Sequence, residues 1–174
     1  MKEKISDIPS ESRFQKGAIT YLDFLGWKGI WKENKKALQD VRKLINDIRK
    51  KAKELTDTVV SDDSFGNLSQ VISISDTISI FTPEINTLNL SDKEILKIHA
   101  ALSQYILKRC IDDGYLIRGT ITYGSYSFKD NVMIGPGIDE CASWYEACDW
   151  SGVHFSPSAE FVLKKYCENV PDTI

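Results

Sequence analysis

The chain has 174 residues, 42% hydrophobic and 27% charged, which is the size and make-up of one domain with an ordinary buried core. A net charge of −3 argues against nucleic acid as the main partner. The polar opening MKEKISDIPSESR lacks the apolar stretch of a secretory signal, and no apolar run nears the ~20 residues of a membrane span, so a cytoplasmic protein with no membrane partner is expected.

Along the chain, residues 17–25 alternate and are rich in branched and aromatic side chains, which predicts a strand. Beyond Gly26 the period lengthens. Leu38, Val41, Leu44, Ile45, Ile48, Ala52 and Leu55 recur every three or four residues and predict one long amphipathic helix over about 28–56. Residues 28–54 hold ten Lys or Arg against four Asp or Glu, about +6, which leaves about −9 elsewhere. Such a run is most simply the solvated face of a helix. After a polar, turn-rich stretch, two strands are expected over about 69–82, hinged at Asp76-Thr77. A second helix opens at Ser91 with Glu94 three residues on, a capping-box pattern, and runs to about Asp113, where Gly114 ends it.

YLIRGTITYGSYSF is expected to be a strand, NVMIG another across a turn at Lys129-Asp130, and PGIDECASWYEA a short helix. The strand GVHFS follows, then a helix begun by Pro157 or Ser158. No repeat or linker divides the chain, so residues 1–174 read as one domain, with one or two further C-terminal strands expected after the abrupt VPDTI. The order β-α-β-β-α-β-β-α-β-α describes an α+β fold: a ferredoxin-like or palm-type antiparallel-rich sheet with helices packed on one face.

Two of these strands carry a lone carboxylate. AITYLDFLGW places Asp23 at the end of the first strand, and VISISDTISIF places Asp76 at a hairpin tip. An isolated carboxylate in an apolar setting is costly unless it is paired or bound to a metal. Each residue alone also suits a cap or a turn. In a ferredoxin-like sheet, however, the first strand's end and the next hairpin are neighbours, so the pair points to a shared cation. Two carboxylates and a backbone carbonyl, completed by substrate phosphates, suit Mg²⁺ or Mn²⁺, and two such ions activate a hydroxyl and stabilise a leaving pyrophosphate. The amides of Leu25, Gly26 and Trp27 are expected at the start of the long helix, where they would meet a triphosphate.

YLDFLGW, ISISDTISIF, IRGTITYGSY and IGPGIDECASWYEA resemble the successive motifs of class III-type nucleotide cyclases, and within them the bacterial Pycsar-type cyclases of antiphage defence. The resemblance covers about residues 18–160. It implies a homodimer with active sites at the subunit interface. It also implies a 3′,5′-cyclic nucleotide product with release of pyrophosphate, and a downstream effector that reads the product. On it Asp23 and Asp76 are the metal aspartates, and the Phe24 carbonyl is a further ligand.

Where the family carries an Asn and a transition-state Arg, this chain carries Asp139 and Ser143. At positions where purine cyclases place a Lys and an Asp it carries Ile72 and Val132, which favours a pyrimidine nucleotide, UTP or CTP. Loss of that Arg also suits a catalytically inactive module that binds a nucleotide or a protein.

Positive charge for phosphoryl transfer would come from Lys28, Lys32 or Arg118, the last of which also suits a structural ion pair. Asp139 is a candidate for contacting the ribose or base. Tyr21, Tyr123, Tyr126 and Trp27 are expected to flank the site, as core or as stacking platforms. Trp144 and Trp150 suit either the core or a dimer contact. Cys110, Cys141, Cys148 and Cys167 lack a CxxC spacing and are expected as free thiols, and His99 and His154 lack partners at zinc-ligand spacing.

Overall fold

The computed structural model describes residues 14–59, 68–85, 90–130, 132–147 and 149–167. The N-terminal stretch, residues 60–67 and the expected C-terminal strands lie outside the described residues. The elements are β1 (Gln15–Phe24), α1 (Ile30–Glu33), α2 (Ala37–Asp57), β2 (Gln70–Ile74), β3 (Thr77–Pro83), α3 (Asp92–Asp112), β4 (Ile117–Lys129), β5 (Val132–Ile134), α4 (Pro136–Trp144), β6 (Gly152–Phe155) and α5 (Pro157–Cys167). The sheet order is β2-β3-β1-β4-β5, and β6 pairs with β4 in parallel while the other pairs are antiparallel. The α+β class expected from the sequence is what the chain adopts.

Strand β1 lies at the centre. Its alternation sends Ala18, Leu22 and Phe24 into apolar layers shared with α2, α3 and α5, and sends Ile19 to the other face. On that second face α4 is the one helix that packs among the described residues, through Ile138 and Cys141 against Ile19, Phe81 and Tyr126. The expectation that the helices share one face is therefore corrected. Gly137, Ile138 and Cys141 are the buried residues of this nine-residue helix, so it covers a narrow strip. Gly119 permits a close approach of the β1 and β4 backbones: a Cβ there would lie 2.1 Å from the Tyr21 carbonyl oxygen.

The expected single helix over 28–56 is broken in two. Asn34 takes an extended conformation between α1 and α2. Its side chain accepts from the Lys36 amide at 2.9 Å and donates to the Tyr115 hydroxyl at 2.8 Å, and that hydroxyl donates to Asp40 at 2.9 Å. Asparagine here offers the backbone a local partner that competes with helical pairing. Val41, Leu44, Ile48 and Ala52 form the buried stripe of α2, as the period predicts, whereas Leu38 is exposed and Ala37 is buried in its place. Helix α3 begins as expected: the Glu94 amide donates to Ser91 Oγ and the Ser91 amide to Glu94 Oε2.

The interior holds one polar chain. His99 on α3 is fully buried, with Nδ1 2.6 Å from Thr20 Oγ1 and Nε2 2.9 Å from Thr82 Oγ1, and Thr82 Oγ1 lies 2.8 Å from Ser69 Oγ. The neutral ring satisfies both hydroxyls by donating from one nitrogen and accepting at the other. Cys110 and Cys141 are free and buried, and burial pushes both thiols up to about 12.

Burial lowers the His99 pKa from 6.5 to about 3. Below pH 6.5 the unfolded chain therefore takes up a proton that the folded one refuses. The stability this ring contributes is full above that pH and is lost as pH falls toward 3, by up to about 1.4 kcal/mol per pH unit. Urea unfolding at pH 7.5 and 5.0 should show the loss. His99→Gln should be less stable at pH 7.5 yet lose less on acidification than the parent.

Candidate active site

The end of β1 is pinned on both sides by main-chain bonds. The Phe24 amide donates to the Asp76 carbonyl at 2.9 Å, and the Leu25 amide to the Leu116 carbonyl at 2.8 Å. Asp23 is registered opposite Thr77 on one neighbour and Arg118 on the other. The β2–β3 turn is Ser75-Asp76, one residue earlier than expected, and Ser75 is held in the left-handed region at φ 57°. A non-glycine residue there carries local strain. The neighbouring strand end and hairpin tip inferred from the strand order are thus found side by side.

Asp23 is 16% exposed, and its carboxyl is held above the usual range. Burial is the main cause and the charge of Asp76 the next, with Arg118 pulling the other way. Arg118 Nε lies 3.5 Å from Asp23 Oδ2, and its Nη2 donates to Glu146 Oε1 at 3.1 Å. Of the readings offered for Arg118, the structural ion pair is the one seen here, with Asp23 on one side and Glu146 on the other. Among the described residues no three His, Cys, Asp or Glu side chains group as a metal cage. The oxygen donors at this corner are the Asp23 and Asp76 carboxylates, with the Phe24 carbonyl at the same strand end. That is a hard donor set suited to Mg²⁺ or Mn²⁺ and unsuited to a soft metal.

Several expected neighbours have other surroundings than expected. The Leu25 amide is committed to Leu116 and cannot meet an anion. Gly26, Trp27 and Lys28 form the turn before α1, a helix of only four residues, so the dipole of the long helix does not bear on them. Lys28 is exposed, and Lys32 lies in α1. The Trp27 ring packs against Phe24 and Tyr115, with centroids 4.8 Å and 6.0 Å away, in the apolar layer on the face opposite Asp23. Tyr126 is fully buried against Phe81, and the Tyr123 hydroxyl donates to Glu84.

Of the four aromatics, Tyr21 and Tyr126 share the Asp23 face; Tyr126 lies toward the far end of β4, opposite Gln15, whereas Tyr21 stands two residues before Asp23. The Tyr21 hydroxyl is pushed up to about 12 by burial first, with the charges of Cys141 and Asp139 adding to the effect. Asp139 is exposed on the first turn of α4, and Ser143 Oγ donates to its carbonyl at 2.7 Å. Trp144 and Trp150 are largely exposed, which removes them from the core.

Sequence reasoning missed Tyr145 and Glu146, which follow α4 directly. Glu146 holds Arg118, and the Arg118 guanidinium carbon lies 5.8 Å from the Tyr145 ring centroid. The signal in the sequence was an acid directly after two aromatics in WYEACDW.

No protein-family model and no curated protein sequence matches the chain. Solved structures do. The chain is similar to the monomeric guanylyl cyclase domain of the RhoGC fusion protein from the aquatic fungus Blastocladiella emersonii, with a TM-score of 0.67 and 14% identity over 90% of each chain. A non-canonical dimeric form of that domain matches with a TM-score of 0.65 and 14% identity, over 90% of this chain and 88% of that one. A monomeric double mutant of it matches at 0.65 and 13% identity over the same shares. The chain thus has the fold of a nucleotide cyclase catalytic domain. Among the described residues no helix is long and apolar enough to cross a membrane.

The charge of Asp76 bears on Asp23 beside Arg118. Removing it should relieve the folded state, because Asp76 helps to hold the Asp23 carboxyl above its ordinary range and so works against its ionised form at pH 7. Asp76→Asn keeps the backbone carbonyl that Phe24 uses, and should raise the melting temperature by about 1–3 °C. A fall in a thermal melt at pH 7 would show that Asp76 is a structural turn residue.

Proposed function

We infer that the chain is a metal-dependent nucleotide cyclase, which converts a nucleoside triphosphate into a 3′,5′-cyclic mononucleotide and pyrophosphate. The substrate is a pyrimidine nucleotide, UTP or CTP. The protein works in the cytoplasm as a homodimer with active sites at the subunit interface. Its product is a signal, read by a downstream effector in antiphage defence. The observation that carries the reading is the convergence of Asp23 and Asp76 on one corner of a cyclase-like fold, with the Asp23 carboxyl held high by burial and by Asp76.

Asp23, Asp76 and the Phe24 carbonyl would hold two Mg²⁺ or Mn²⁺ ions, which when bound acidify the ribose 3′-hydroxyl and offset charge on the leaving pyrophosphate. The amides of Gly26 and Trp27, with the exposed Lys28, face the triphosphate. Arg118 supplies the positive charge nearest to Asp23. Asp139, on the open side of α4, contacts the ribose or base. The pyrimidine preference is supported by Ile72 and Val132: the first packs in the apolar layer with Phe81, Phe128 and Met133, and neither offers the polar contact that selects a purine.

A second reading, an inactive cyclase-fold module that binds a nucleotide or a protein partner, rests on α4. That helix carries no Lys or Arg, and Ser143 turns its hydroxyl back onto the helix.

Purified protein incubated with each of the four ribonucleoside triphosphates and Mn²⁺ should give a cyclic product from UTP or CTP, identified by mass spectrometry. Asp76→Asn should lower its yield at least 100-fold. A folded dimer that yields no product with any triphosphate would favour the second reading.

A further inference from the structure

Arg118 stands directly across the β1–β4 ladder from Asp23, where opposite charges on adjacent strands can pair closely. The two do not make a tight pair. Arg118 Nε stays 3.5 Å from Asp23 Oδ2 and finds no hydrogen-bond acceptor, although it is buried. The guanidinium is engaged on its other side as well: Nη2 donates to Glu146 Oε1 at 3.1 Å, and the guanidinium carbon lies 5.8 Å from the Tyr145 ring centroid. Glu146 is itself held, because the Tyr145 hydroxyl donates to the same Oε1 at 3.0 Å. The corner after α4 thus carries an acceptor and an aromatic surface, and both engage one Arg. Each suits a guanidinium, which takes carboxylates through its donors and aromatic faces by stacking.

A guanidinium and a divalent cation are rivals for one carboxylate. A guanidinium aimed squarely at Asp23 would engage both of its oxygens in the bidentate manner that makes such pairs strong. We propose that Glu146 and Tyr145 are positioning residues that draw Arg118 off Asp23 and so keep this carboxylate open to a divalent cation shared with Asp76. The inference rests on the reading of Asp23 and Asp76 as the cation-holding pair.

Isothermal titration of the full chain with Mn²⁺ tests it, with circular dichroism of each variant to confirm folding. Glu146 is exposed, so its replacement should not unfold the chain. Glu146→Ala should weaken Mn²⁺ about three- to fivefold, the scale of a partly exposed ion pair. Tyr145→Phe, which keeps the ring and loses the hydroxyl, should weaken it by less. Arg118→Gln should bind Mn²⁺ more tightly than the parent, and Glu146→Ala should have no further effect in that background.

Losing the Glu146 charge would by itself weaken a nearby cation whether or not Arg118 is present. Equal weakening in both backgrounds, or an unchanged affinity in Glu146→Ala, overturns the positioning role while leaving the aspartate pair intact. Mn²⁺ uptake that is absent in the parent, or that survives unchanged in Asp76→Asn, overturns the cation-holding pair and the positioning role with it.

Discussion

The structure depends on the register of β1 between β3 and β4. Two antiparallel ladders fix this strand, so each of its residues has a set face and a set pair of opposite numbers. A slip of one residue would send Asp23 into the apolar layer beneath α2 and α3 and bring Leu22 to the corner in its place. Gly119 enforces the fit at the next step, since a side chain there would strike the Tyr21 carbonyl. The apolar layers on the two faces and the charged corner are therefore settled by the same pairing.

Within that frame the charged corner is poorly balanced as it stands. Asp23 is largely buried beside a second acid, and the Arg that could neutralise it is shared with Glu146. Burying charge with an imperfect partner is unfavourable, and the rest of the fold tolerates it because the core is otherwise well formed. The hidden polar chain around His99 shows the contrast: there every ring nitrogen has a partner, and the group is stable only while neutral. One polar cluster closes on itself, and the other is left open toward solvent.

Much of this was legible in the chain. The Ser91–Glu94 box marked the start of α3, the alternation of residues 17–25 marked β1, and the strand order alone placed the Asp76 hairpin beside the end of β1. What escaped were effects of distant partners. The break at Asn34 is held by Tyr115, 81 positions away, and periodicity cannot register such a tie. Trp27 and Tyr126 have the composition of site residues, yet the alternation of sides and the local turn carried them into apolar layers. Tyr145 and Glu146 gained meaning only when β4 brought Arg118 alongside, 28 positions from its acid. The placement of α4 on the far face was invisible because three buried positions give no orientation by themselves.

The bonds from Phe24 to Asp76 and from Leu25 to Leu116 join backbone atoms only. Every residue supplies the same amide and the same carbonyl, so such a frame keeps no memory of which side chains surround it. A lineage could exchange nearly all the letters around this corner and still hold two acids at the same separation.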